Sequence, residues 1–131
     1  MKVLIIHGPN MNLLGLFSNS RLTLDKLNRS IKRHVRNIDV EVKIDQTHDQ
    51  KKFISLLHTN RNKVDAFILN IGAWHPNGHL IKETLNILKV PYLIVEYNDW
   101  KNNSVFESKN IIKKDSIEKS YIDAINKLIE K

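Results

Sequence analysis

The sequence predicts an α/β domain, a doubly wound and mostly parallel sheet with helices on both faces, as one unit over residues 1–131. Three observations predict it. Short apolar runs alternate with segments of helical periodicity along the whole chain. Several of those runs are continuously apolar, the pattern of strands covered on both sides. The 131 residues, 41% of them hydrophobic, are enough to bury a core and fall in the common single-domain range.

Taken in order, Val3 to Ile6 is a continuous apolar run and reads as the first strand. A helical pattern follows from about Thr23 to Arg36, with Leu24, Leu27, Ile31 and Val35 on one face and Thr23 as its cap. Val40, Val42 and Ile44 alternate with charged residues, as in a strand near a sheet edge. Phe53, Ile54 and Leu57 mark a helix from about Gln50 to Thr59, and Ala66 to Leu69 a second buried strand. Leu80, Ile81, Thr84, Leu85 and Leu88 place a helix over Gly78 to Leu88, followed by a strand at Tyr92 to Val95. A weaker fifth strand falls around Asn110 to Ile112, and Ile117, Tyr121, Ala124, Ile125, Leu128 and Ile129 close the chain with a helix from Ser116. Alternating strand and helix is the pattern of right-handed crossovers in a parallel sheet. Five such strands suit the flavodoxin-like order 2-1-3-4-5, whose ligands sit outside the carboxyl ends of the strands between strands 1 and 3. Three loops then surround one cleft: His7 to Arg21, Asn70 to Gly78, and Glu96 to Phe106.

Composition narrows the chemistry. The absence of cysteine removes disulfides, thiolate metal sites and a thiol nucleophile. No apolar run approaches the ~18–20 residues of a membrane span, and the opening run meets Gly8-Pro9 too early for a secretory signal. A cytoplasmic protein is expected. The net charge of +7 arises from 21 Lys and Arg against 14 Asp and Glu. Sixteen of those cations are Lys, beside 15 Asn and 17 Ile, and they are spread from Lys2 to Lys131. Such a spread speaks for coding bias more than for nucleic acid, and it leaves an acidic small molecule compatible with the excess. The histidines lack metal-ligand spacing, since Pro76 and Gly78 interrupt the i, i+4 pair His75 and His79, so no metal is expected.

In the first loop, Gly8 permits a sharp exit, Pro9 stiffens the turn, and Asn10 and Asn12 offer amide donors and acceptors. Asn70 ends a buried strand before the small residues Gly72 and Ala73. Two amides at adjacent strand ends can hold a hydroxylated ligand without fixing charge; the plainer alternative is that they satisfy turn backbone. Glu96, His75, His7 and Tyr97 also fall at strand ends. Each has a plain reading as well: His7 capping its loop, His75 solvated, Trp74 and Trp100 packing. A carboxylate ending a buried strand, however, needs a partner.

His7-Gly8-Pro9-Asn10-Met11-Asn12-Leu13-Leu14-Gly15 resembles the N-G-P-N-L-N-L-L-G opening of type II 3-dehydroquinate dehydratases. Lys63-Val64-Asp65-Ala66-Phe67-Ile68-Leu69-Asn70-Ile71-Gly72-Ala73 resembles that family's K-V-D-G-I-I-I-N-P-G-A. Asp45-Gln46-Thr47-His48 and Val90-Pro91 fit two further motifs in the right order. The resemblance implies a flavodoxin-like protomer, assembly into trimers or dodecamers, and no metal or organic cofactor. It also implies chemistry in which a lid Tyr, activated by an Arg, removes a proton beside a ketone. A His after strand 4 supplies the acid, and the first-loop Asn steadies the enolate through a water.

Several of those positions differ here. The lid segment Leu16-Phe17-Ser18-Asn19-Ser20-Arg21 is about three residues shorter than the family's and has no Tyr, and Arg21 adjoins the first helix. His75 stands one residue before the family's loop His, at whose position this chain has Pro76. Glu96 takes the place of the acid His, and Glu107 that of a carboxylate-binding Arg. The sequence therefore predicts a homologue with little or no dehydratase activity. The alternative is an active lyase on 3-dehydroquinate or a related small hydroxylated acid. Its rebuilt catalytic set would be Asn10, Glu96 and His75, and Asn70, Gly72, Ala73, Asn12 and Tyr97 would bind substrate. A third possibility is an interaction module, recognisable by a cleft filled with its own Trp74 or Phe17.

Overall fold

The computed structural model describes residues 1–18, 21–97 and 103–130. Its strands are β1 (Lys2–His7), β2 (Glu41–Gln46), β3 (Ala66–Asn70), β4 (Tyr92–Val95) and β5 (Ile111–Ile112). They form one sheet in the order β2-β1-β3-β4-β5, and every neighbouring pair is parallel. The helices are α1 (Leu14–Phe17), α2 (Leu24–Val35), α3 (Gln50–Asn60), α4 (His79–Leu88) and α5 (Ile117–Ile129). The expected fold class, strand order and two-sided covering are all present.

The sheet divides the core in two. Odd residues of β1, Val3 and Ile5, point with Ile68 and Val95 toward α2 and α5, meeting Leu27, Ile31, Tyr121 and Ile125. Even residues, Leu4 and Ile6, point with Phe67 and Leu69 toward α3 and α4, meeting Phe53, Leu57, Ile81 and Leu85. This is the two-residue period of a strand buried on both sides, and it explains the continuous apolar runs of β1, β3 and β4. At the sheet edge, β2 shows the exposed and half-buried alternation its sequence predicts.

Caps fix where helices begin. Thr23 Oγ1 accepts from Lys26 N at 3.2 Å ahead of α2, and Ser116 Oγ accepts from Lys119 N at 3.2 Å ahead of α5. Two segments read as loops carry helical turns. Met11–Leu13 is a 3-10 turn running into α1, with Met11 and Leu14 buried. Gly72–Asn77 is another 3-10 turn, with Pro76 inside it. β5 is only two residues long and follows a 3-10 turn at Ser108–Asn110.

Candidate active site

Parallel strands place their C-terminal ends together, and the expected site residues lie there. In register, His7 ends β1 opposite both Gln46 of β2 and Asn70 of β3. Immediately beyond, Gly8 lets the first loop pass against β3: a Cβ on Gly8 would lie 2.2 Å from Asn70 O, a clash between backbones. Asn10 then turns in the left-handed region at φ 66°, which Asn tolerates better than most side chains. Its backbone N–H donates to His48 Nδ1 at 3.2 Å. Asn10 and Asn12 are both exposed, and the Asn10 side chain makes no capping bond to the turn that follows.

Asn70 behaves differently. It is fully buried, and its Oδ1 accepts from Gly72 N at 3.1 Å, which turns the chain after β3. Its Nδ2 is buried as well. Gly72 is buried at φ +49°, and Ala73 is exposed. A Cβ on Gly72 would sit 3.4 Å from Pro9 Cγ and 3.4 Å from Tyr97 Oη, so the three predicted loops converge on this glycine. Phe17 packs on Tyr97 with ring centroids 5.0 Å apart. One of the two residues expected to fill a blocked cleft therefore covers the tyrosine. The other, Trp74, instead meets Phe53 edge-on at 5.5 Å.

His75 and Glu96 come together. His75 Nε2 lies 3.5 Å from Glu96 Oε2, with residue exposures of 0% and 2%. The solvated reading of His75 is thus overturned: the 3-10 turn carries its ring inward, where it meets Phe106 edge-on at 6.4 Å. Burial pushes His75 down to about 4, because a charged imidazole loses its hydration there. Ser104 Oγ lies 2.7 Å from His75 Nδ1, and Val105 N donates to His75 O at 2.9 Å. The chain returning after β4 is thereby tied to the loop after β3.

Beneath the cleft, His7 is also buried rather than a loop cap. Its Nδ1 lies 2.8 Å from Tyr121 Oη and its Nε2 2.8 Å from Asn28 Oδ1. An amide oxygen only accepts, so Nε2 carries the proton and Tyr121 donates to Nδ1. Burial lowers His7 to about 4 and raises the Tyr121 phenol, which Asn70 lowers in part. Tyr97 is likewise raised by burial. Both phenols, one on α5 and one just after β4, are accordingly held protonated at neutral pH. Sequence reasoning missed Ser104, Tyr121 and Asn28 because their places depend on how distant segments return to the cleft, which no local spacing encodes.

Glu107 is exposed, and its Oε2 lies 3.3 Å from Lys109 Nζ. Burial, and after it the charge of Glu107, raises the phenol of Tyr92, the first residue of β4. Asn19, Ser20 and Trp100 lie outside the described residues. Among the described residues no group of three or more His, Asp or Glu could hold a metal ion, and no helix is long and apolar enough to cross a membrane.

Comparison with known proteins agrees with the fold. The family model described as dehydroquinase class II matches residues 1–127. A 3-dehydroquinate dehydratase of Thermoanaerobacter pseudethanolicus is 32% identical over 82% of this chain and 79% of its own. That of Caldanaerobacter subterraneus is 33% identical over 75% and 68%. The crystal structure of a type II dehydroquinase from Butyrivibrio crossotus superposes with a TM-score of 0.85 at 24% identity, covering 98% of this chain and 97% of that one.

Proposed function

Because the chain belongs to the class II dehydroquinase family, we propose that it is a homologue with little or no 3-dehydroquinate dehydratase activity. The observation that carries this reading is Glu96. It stands where the resemblance calls for an acid His, and it is 2% exposed against His75 rather than open to the cleft. The base is affected as well. The lid segment has no Tyr, and the phenol nearest the converging loops, Tyr97, is raised rather than lowered and lies under Phe17. Proton removal beside a ketone needs a base able to ionise near the working pH. General acid and base groups each contribute about 10²–10⁴-fold, so loss of both leaves little turnover even without additivity.

A small hydroxylated or anionic ligand still suits the exposed Asn10 and Asn12 and the buried Asn70 amide. The same reading carries no metal or organic cofactor, self-association as trimers or dodecamers, and a cytoplasmic setting. The charge reversal at Glu107 has less force than its position suggests, because Lys109 faces its carboxylate. The test is titration with 3-dehydroquinate, followed by calorimetry and by absorbance of the enone product. The expected result is turnover at least about 10³-fold below that of a family dehydratase under the same conditions. Comparable turnover would refute it.

A second reading is favoured by the 3.5 Å approach of His75 and Glu96. Two titratable groups in one buried site can divide acid and base roles. In this reading Asn10, Glu96 and His75 are catalytic, and Asn70, Gly72, Ala73, Asn12 and Tyr97 bind a small hydroxylated acid. Glu96→Gln then abolishes turnover; unchanged turnover and ligand affinity in that variant would sink it.

A further inference from the structure

The buried pair has a third member that neither reading above uses. Ser104 Oγ lies 2.7 Å from His75 Nδ1, on the side of the ring opposite Glu96. Glu96 and His75 are buried, at 2% and 0% exposure, and Ser104 is half-buried, the most accessible of the three. Phe106 N–H donates to Ser104 Oγ at 3.1 Å, which leaves the hydroxyl proton directed at the imidazole. With Nδ1 accepting, the ring proton sits on Nε2 and faces the carboxylate. A nucleophile within hydrogen-bond reach of a base, itself oriented by a third group, is the arrangement that activates a hydroxyl. A cation is fixed nearby: Lys82 Nζ donates to Val105 O, one residue from Ser104, at 2.7 Å. The start of α4 packs there too, since a Cβ on Gly78 would lie 3.6 Å from Val105 Cγ2.

We propose that Ser104, His75 and Glu96 form a nucleophilic site for acyl transfer from small activated esters or thioesters. Ser104 Oγ bonds to the acyl carbon while its proton passes to His75 Nδ1, and the carbonyl electron pair moves onto oxygen. Glu96 stabilises the imidazolium, and Lys82 offsets the charge on that oxygen. The bond to the leaving alkoxide or thiolate then breaks as His75 returns the proton to it. In the second half, His75 takes a proton from water as its oxygen attacks the acyl carbon, and the Oγ–acyl bond then breaks as His75 returns that proton to Ser104 Oγ, releasing the carboxylic acid. Compared with the usual triad, the ring nitrogens exchange partners: Nδ1 faces the serine and Nε2 the carboxylate. It draws on the Glu96–His75 contact but not on any turnover of 3-dehydroquinate.

The full chain is incubated with a fluorophosphonate and, separately, with p-nitrophenyl acetate, and adducts are located by peptide mass spectrometry. The expected result is one adduct per chain, on Ser104, with labelling slowed about 100-fold or more in His75→Gln. No adduct on Ser104, or equal labelling in His75→Gln, overturns the proposal. Because His75→Gln can disturb the loop, a second variant is independent of it. The chain has no cysteine, so Ser104→Cys introduces a single thiol beside an intact His75. Its alkylation by iodoacetamide is expected to titrate well below the ordinary thiol midpoint of ~8.5, and an ordinary midpoint overturns the proposal. Enone formation on the same preparation reports separately on the dehydratase reading.

Discussion

At the scale of single residues, His7 links protonation to folding. It has no exposure, both ring nitrogens are engaged, and its pKa falls from 6.5 to about 4. Between those values the unfolded chain binds a proton that the folded chain does not, so stability rises with pH through that window. The contribution is complete above pH 6.5 and is lost as pH falls toward 4. Its size between pH 7 and pH 5 is about 2 kcal/mol. His7→Asn, which keeps a polar group at the strand end without a titrating one, is expected to flatten the difference between urea unfolding at pH 7 and at pH 5 by about that amount. An unchanged pH dependence would mean that His7 is not held neutral. The residue's position at the end of β1 was legible in the sequence. Its partners were not, because Tyr121 lies 114 residues away on α5.

At the scale of elements, what the sequence made legible follows from what each element rests on. Thr23 illustrates a local rule: its hydroxyl caps α2, and its methyl meets the place a Cβ on Gly15 would occupy, at 3.0 Å. Thr23→Ala is expected to lower stability by about 1 kcal/mol, and Thr23→Ser to restore most of it, as read by thermal or urea unfolding. Equal losses in the two variants would put the methyl contact, not the cap, in control. Elements backed by periodicity and a cap, such as α2 and α5, were legible nearly to the residue. Those held by tertiary contact were not. α1 forms because Met11 and Leu14 are drawn under the loop after β1, and β5 is two residues paired to Ile94 and Val95. The candidate site divides in the same way. Asn10, Asn70, Gly72 and Tyr97 follow strand ends that periodicity locates, whereas the contact of His75 with Ser104 depends on the path after β4.

At the scale of the molecule, the sheet works as a partition. Leu27 of α2 packs among residues of one face and Leu57 of α3 among residues of the other, and each is fully buried. Truncating a buried Leu to Ala costs roughly 2–5 kcal/mol through lost transfer energy and the cavity left behind. With the sheet between them the two cavities share no lining, so the losses are expected to add to within about 0.5 kcal/mol. A domain of this size has about 5–15 kcal/mol in total, so the double variant is expected to lie close to unfolding at 25 °C. The single variants should fall short of that point by similar amounts. Urea unfolding of both singles and the double completes the cycle. An interaction energy beyond about 1 kcal/mol would mean that strain passes through the sheet. The loops gathered around Gly72, which join both faces at the strands' C-terminal ends, would then respond to packing on either side.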